Sequence, residues 1–142
     1  MLNRNGEFDP KGLSPVPLAF LGDGVFELMV RERIVRGGSV PGQSLQRLAV
    51  RRVKASAQAL AYDAVFNESS IEERSILKRG RNASLSTIPR SCTPEQYHKA
   101  TAIEALFGYL YLKGEEARLR ELFELIDTLI AKTEEERNAP GR

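Results

Sequence analysis

The chain has 142 residues, with 21 Lys+Arg, 19 Asp+Glu, 42% hydrophobic and 28% charged residues, which suits one globular domain around a single substantial core. No apolar run reaches the roughly 18 residues that cross a membrane, and the first residues lack the basic-then-apolar profile of a secretory leader, so a cytoplasmic protein is expected. Cys92 is the one cysteine and His98 the one histidine; they can form neither an internal disulfide nor a His/Cys zinc centre within one chain, so any bound metal must be held by oxygen.

Residues 1–12 are polar, glycine-bearing and aperiodic, and are expected to be a flexible arm. Leu18, Leu21, Val25, Leu28 and Met29 recur at helical spacing, predicting a helix over about 16–36 that Gly37-Gly38 closes. Pro41-Gly42 opens a turn, and Leu45, Leu48, Val53, Ala57, Leu60, Ala61 and Val65 predict a helix over 43–66. Ser69-x-x-Glu72 reads as a capping box for a helix over 70–79, which Gly80 follows after the basic end Lys78-Arg79. The polar stretch from Arg81 to Thr93 is long for a helix connection, which points to a functional loop. Thr93-x-x-Gln96, with Pro94 at the first helical position, opens a helix over 94–113. Gly114 then separates it from a last amphipathic helix over 115–133, built on Leu119, Leu122, Phe123, Ile126, Leu129 and Ile130. The expectation is an all-α fold of about five to seven helices over 13–133, with 134–142 a disordered tail.

Charge is segregated along this pattern. Residues 31–54 hold seven Lys/Arg against Glu32, and residues 74–99 hold six against Glu95, while the remainder is strongly acidic. Two basic segments are thus available to a polyanion, although charge runs of this kind are also common on solvated helix faces.

Two acids stand out against this background. Asp23, with Glu27 one turn on, lies in the apolar stretch Leu18-Ala-Phe-Leu-Gly-Asp-Gly-Val-Phe-Glu-Leu28, and Glu104 lies in Ile103-Glu-Ala-Leu-Phe-Gly-Tyr-Leu-Tyr-Leu112; neither stretch carries a basic residue. A buried, unpaired carboxylate costs several kcal/mol, so each acid must reach solvent, take up a proton, meet an arginine from elsewhere or bind a cation. Two such helices face to face would form an acidic site suited to Mg²⁺, which needs few carboxylates and completes its octahedron with water and phosphate. Gly22 and Gly24 flank Asp23 at a cost of about 1 kcal/mol each in helix propensity; bare backbone there would admit another backbone, a metal's waters or a phosphate. Glu95-x-x-His98 has the spacing of half a di-iron site, but no second histidine exists to complete one.

The stretch from Leu18 to Leu28 resembles the signature helix of the ribonuclease III family, and Ile103 to Leu112 is similar to that family's second acidic helix. The likeness covers about residues 14–132. Ala19 and Thr101 stand where larger members have further acids, which leaves one metal or two open, and the double-stranded-RNA-binding domain that normally follows is not found before the chain ends. These features, with Lys78-Arg-Gly-Arg-Asn-Ala83, resemble the compact branch called Mini-ribonuclease III. The resemblance implies a Mg²⁺-dependent endoribonuclease, with Mn²⁺ able to substitute, in which Asp23 and Glu104 are the catalytic, metal-binding acids and Glu27 supports them. It implies a homodimer acting on double-stranded RNA, naturally a ribosomal RNA precursor of the large (23S) subunit, leaving 5'-phosphate and 3'-hydroxyl ends. A-form RNA must be gripped by its backbone and 2'-hydroxyls, for which Lys78, Arg79, Arg81 and Asn82 are the first candidates. Arg47, Arg51 and Arg52, on one broad helix face, are the second. The alternative is a non-catalytic RNA-binding or ribosome-assembly protein on the same fold.

Overall fold

The computed structural model describes residues 9–83 and 87–137, and among them every regular element is helical. Seven α-helices follow a short 3-10 turn at Pro10–Gly12: α1 (Pro15–Arg36), α2 (Gly42–Val53), α3 (Ala55–Leu60), α4 (Tyr62–Glu68), α5 (Ile71–Arg81), α6 (Pro94–Leu112) and α7 (Glu116–Arg137). The all-α expectation holds.

Helix α6 is the axis of the molecule. From Ala100 to Leu110 every residue except Glu104 is buried, and α1, α3, α5 and α7 pack around it, with α1 sharing the most extensive interface. Phe26 of α1 meets Phe107 of α6 edge-on, with ring centroids 5.3 Å apart, and Phe123 of α7 at 5.6 Å; such pairs add about 1 kcal/mol to the burial of their area. The start of α6 is the one anticipated: Thr93 Oγ1 accepts from Gln96 N at 3.1 Å, Gln96 Oε1 accepts from Thr93 N at 3.0 Å, and Pro94, without an N–H, leaves no donor unpaired there.

Three elements differ from the sequence expectation. The segment 43–66 is three helices rather than one, broken where Lys54 turns extended (ψ 149°) and at Ala61 (φ −93°, ψ −4°). On a straight helix Ala49, Ala57 and Val65 would drift by about 80° per eight residues, and the two bends return all three to the core, where each is buried. The capping box of α5 is Ser70–Glu73, one residue later than expected; Ser69 instead donates to Val65 O at 2.6 Å and ends α4. Gly80 lies inside α5 rather than after it, because a Cβ there would sit 2.8 Å from the Ala102 Cα of α6, so the glycine lets two backbones touch.

Of the expected arm, residues 1–8 lie outside the described residues, but Pro10–Gly12 is ordered by Asp9, which accepts from Lys11 N at 3.0 Å. Of the expected tail, 138–142 lie outside, while α7 continues to Arg137. The expected functional loop falls partly on 84–86, also outside.

Candidate active site

The site is produced by two glycines. Where α1 crosses α6, Gly22 and Gly108 face each other's helix: a Cβ on Gly22 would lie 2.6 Å from the Glu104 carbonyl carbon and 2.8 Å from Gly108 N, and one on Gly108 would lie 3.0 Å from the Leu18 carbonyl carbon. The helices therefore touch backbone to backbone, and the residue after Gly22 is brought to Glu104. Asp23 and Glu104, 81 positions apart in sequence, are within hydrogen-bonding contact. Gly24, by contrast, faces open space; no part of the chain needs that position bare.

Asp23 is exposed at the mouth of the site, and Glu104 is largely shielded behind it. Burial pushes the Glu104 carboxyl up to about 9; the hydrogen bond and the negative charge of Asp23 add to this, and a hydrogen bond from Gln58 works against it. At neutral pH the metal-free pair therefore holds a proton. Among the described residues no lysine or arginine pairs with either acid, so the structural ion pair weighed above is not what the molecule uses. Glu27 shares the face of Asp23 but is turned to Arg31, at 3.7 Å. Ala19 and Thr101 are buried, and the Thr101 hydroxyl is spent on Tyr97 O at 2.9 Å, so neither position adds a ligand.

Among the described residues no group of three or more His, Cys, Asp and Glu side chains is assembled. Two carboxylates and no softer donor do not suit zinc. They fit Mg²⁺, which takes one or two carboxylates and keeps its waters. Gln58, which the sequence reading passed over, is fully buried: its Nε2 donates to Val53 O at 3.1 Å, and its Oε1 has no hydrogen-bond partner among the described residues. Its one sequence signal is an amide in the middle of Ala55-Ser-Ala-Gln-Ala-Leu60.

The basic candidates divide. Arg79 donates to Lys11 O at 3.2 Å and Leu13 O at 2.6 Å, fastening the 3-10 turn to α5. Arg52 bridges Asp127 at 3.3 Å and Glu134 at 2.9 Å, tying α2 to α7. Lys78, Arg47, Arg51 and Asn82 are exposed, Arg47 within reach of Ser44 Oγ at 3.3 Å; Arg81 is partly exposed, 3.6 Å from Glu95. A feature invisible in the charge count is an aromatic platform. Tyr62 and Phe66 stack at 6.0 Å, with Arg81 and Lys99 over Tyr62 at 5.1 and 5.9 Å and Arg74 and Lys78 over Phe66 at 4.9 and 5.7 Å. Two rings, of which Tyr62 is buried, thus gather four cations around them.

Comparison with known proteins agrees with this geometry. The Ribonuclease III domain family matches residues 17–115, which takes in both acids and the glycine crossing. The chain belongs to the ribonuclease III family, and its class is that of an endoribonuclease. It is 43% identical over 113 residues to a Mini-ribonuclease 3 of Thermoanaerobacter sp. (strain X514), covering 80% of each chain. To a Mini-ribonuclease 3 of Symbiobacterium thermophilum it is 40% identical over 116 residues, covering 82% of this chain and 89% of that one. A crystal structure of a Fusobacterium nucleatum protein superimposes with a TM-score of 0.77 at 33% identity, over 84% of this chain and 96% of that one.

Proposed function

We propose that the chain is a Mg²⁺-dependent endoribonuclease that cuts double-stranded RNA as a homodimer, with Mn²⁺ able to substitute, and that its natural substrate is the precursor of 23S ribosomal RNA. The observation that carries this reading is the convergence of Asp23 and Glu104 at the Gly22–Gly108 crossing, free of any basic partner among the described residues. In this account residues 13–133 form the catalytic domain.

Asp23 and Glu104 are the residues that would hold the ion. When bound, the ion supplies a water acidic enough to attack the phosphodiester phosphorus, charge to neutralise the phosphate, and stabilisation of the leaving 3'-oxygen, so the products carry 5'-phosphate and 3'-hydroxyl ends. The chain's own contribution is rigidity. Asp23 is fixed by a helix that cannot shift without opening the glycine crossing, and Glu104 would have to be deprotonated to serve as a ligand. Glu27 supports from the same helix face, where it also pairs with Arg31 at 3.7 Å.

RNA is held by backbone contacts, which suits the exposed Lys78, Asn82, Arg47 and Arg51 and the partly exposed Arg81; Arg79 and Arg52 serve the fold that presents them. The homodimer is supported by exposed apolar residues on one side of α1: Val16, Phe20, Leu28 and Val35 are 45%, 86%, 57% and 70% exposed and lie within about 120° of one another around the helix, a sector that also holds the Glu27–Arg31 pair. Asp23 borders that sector, so a dimer across it would bring two sites near one duplex. The ribosomal substrate rests on the resemblance to Mini-ribonuclease III alone. A cytoplasmic location goes with it; no helix among the described residues is long and apolar enough to cross a membrane.

The test is incubation of a long RNA duplex with wild type and Asp23→Asn, with and without Mg²⁺. Wild type is expected to cut only with the ion, and Asp23→Asn to fold and bind RNA without cutting. Cleavage by Asp23→Asn at the wild-type rate would overturn the assignment.

A further inference from the structure

Where the end of α7 passes the corner between α2 and α3, the surface is hollowed to about 260 Å³. The floor is apolar, formed by Ala57 and Leu60 of α3 and Ile130 of α7. The rim is basic, with Arg51 from the last turn of α2, Lys54 from the corner itself and Arg137 from the last turn of α7. All three cations are exposed, and none has an ion-pair partner among the described residues. The one acid that lines the hollow, Glu134, is already held by Arg52 at 2.9 Å.

A basic residue at a helix end has a local reason, the helix dipole, which contributes about 0.3–1 kcal/mol. That reason covers Arg51 and Arg137 singly but not their convergence with Lys54, which stands in extended backbone (ψ 149°) outside any helix. Nor is the charge offset by the acids that follow in α7. At 100° per residue, Ile130, Thr133, Glu134 and Arg137 share a sector of about 100°, and Glu135 and Glu136 fall outside it. Three remote parts of the chain thus leave uncompensated positive charge around an apolar floor. That combination fits a nucleic acid strand, whose phosphates meet the rim while its sugars rest on Leu60 and Ile130. Gln96 of α6 also lines the hollow. It stands eight residues before Glu104, about 12 Å along the helix axis, which is a few steps of a duplex strand at about 3.4 Å each.

We propose that this hollow is a phosphate-backbone subsite for RNA, in which Arg51, Lys54 and Arg137 hold the strand a few nucleotides away from Asp23 and Glu104. This rests on the reading of the chain as a ribonuclease. It adds Lys54 and Arg137 to the contacts with RNA, and it gives Arg52 the task of neutralising Glu134 so that the hollow keeps its positive charge. Contacts to phosphate fix the register of a nucleic acid without reading its bases. The subsite therefore serves every duplex alike, and its contribution is screened by salt.

The experiment is fluorescence anisotropy of a labelled RNA duplex with the full chain, in EDTA so that nothing is cut, over a series of NaCl concentrations. Lys54→Ala and Arg137→Ala are each expected to bind more weakly and to reduce the slope of log affinity against log salt by about 1, and the double variant by about 2. Lys54→Arg, which keeps the charge, should retain the wild-type slope. Lys132→Ala removes an exposed cation from the opposite side of α7 and should leave the slope unchanged. A double variant with wild-type affinity and slope would overturn the proposal. So would a loss of affinity at unchanged slope, which means that no phosphate is held there, or a Lys132→Ala slope that falls as far as that of Lys54→Ala, which means that charge counts wherever it lies. A wild type that binds no duplex RNA would remove the ribonuclease reading itself. One that binds and is indifferent to Lys54 and Arg137 removes this subsite alone.

Discussion

Gly22 and Gly24 flank the same aspartate, yet their substitution by alanine should have opposite effects. At Gly22 the new methyl would lie 2.6 Å from the Glu104 carbonyl carbon and 2.8 Å from Gly108 N, where ordinary contact begins at 3.4 Å, and it would overlap the Glu104 carbonyl oxygen outright. Both obstacles are backbone, so no side chain can rotate away and α1 must move off α6 by about 1 Å or more. Overpacking of a rigid core costs about 1–3 kcal/mol, and a backbone clash belongs at the upper end; for a domain of this size about 3 kcal/mol lowers Tm by roughly 10 °C. The same displacement carries Asp23 away from Glu104, and misplacement by about 1 Å at a reacting centre can cost about 100-fold in rate. At Gly24 nothing lies within 4 Å, so alanine there gains only helix propensity, about 0.5–1 kcal/mol, and raises Tm by a few degrees. Thermal unfolding followed by circular dichroism, with duplex cleavage measured well below each Tm, checks both. A Gly22→Ala protein as stable and as active as wild type would refute the account of the crossing.

Other outcomes follow from the same contacts. Because the Glu104 carboxyl titrates at about 9 in the folded chain against 4.5 ordinarily, the folded state holds more protons between those values. Its contribution to stability is complete below about 4.5 and is lost as pH rises towards about 9. Urea unfolding of the metal-free protein should show this as a fall of up to about 1.4 kcal/mol per pH unit; Glu104→Gln should flatten it, and a slope unchanged in that variant would contradict the cause. Arg118 grips both oxygens of Glu73 at 2.9 Å and the Glu68 carbonyl at 2.7 Å. Burial raises the Glu73 carboxyl, but Arg118 and Ser70 outweigh it and hold it below its usual range. Arg118→Ala should cost about 2–4 kcal/mol near neutral pH by denaturant unfolding. The cost should shrink as acid protonates Glu73, since the stability of a carboxyl with a depressed pKa is lost as pH falls. Lys78→Ala should weaken duplex binding at low salt and reduce the slope of log affinity against log salt by about 1, as loss of one phosphate contact does; an unchanged slope would remove Lys78 from the interface.

Much of this was legible in the residues. Apolar spacing located α1, α6 and α7, and Thr93-Pro94 marked the start of α6, because these signals are local. The pairing of Asp23 with Glu104 was legible as a problem, two acids without bases, whose solution depends on a crossing between distant helices. The bends at Lys54 and Ala61 were not legible: periodicity over 43–66 suits one helix, and only the core that Ala49, Ala57 and Val65 must share breaks it. Gln58 was hidden for the same reason, since the Val53 carbonyl that it bonds is freed only by the bend. The intramolecular roles of Arg79 and Arg52 could not be told from surface charge, because each partner comes from a remote part of the chain.

The central claim is that Asp23 and Glu104 together hold a divalent ion. It is tested most directly by a crystal grown with Mn²⁺ and measured at a wavelength where manganese scatters anomalously. The account predicts an anomalous peak between the two carboxylates that disappears in Asp23→Asn. Manganese bound elsewhere, with Asp23 and Glu104 still joined through a shared proton, would contradict it.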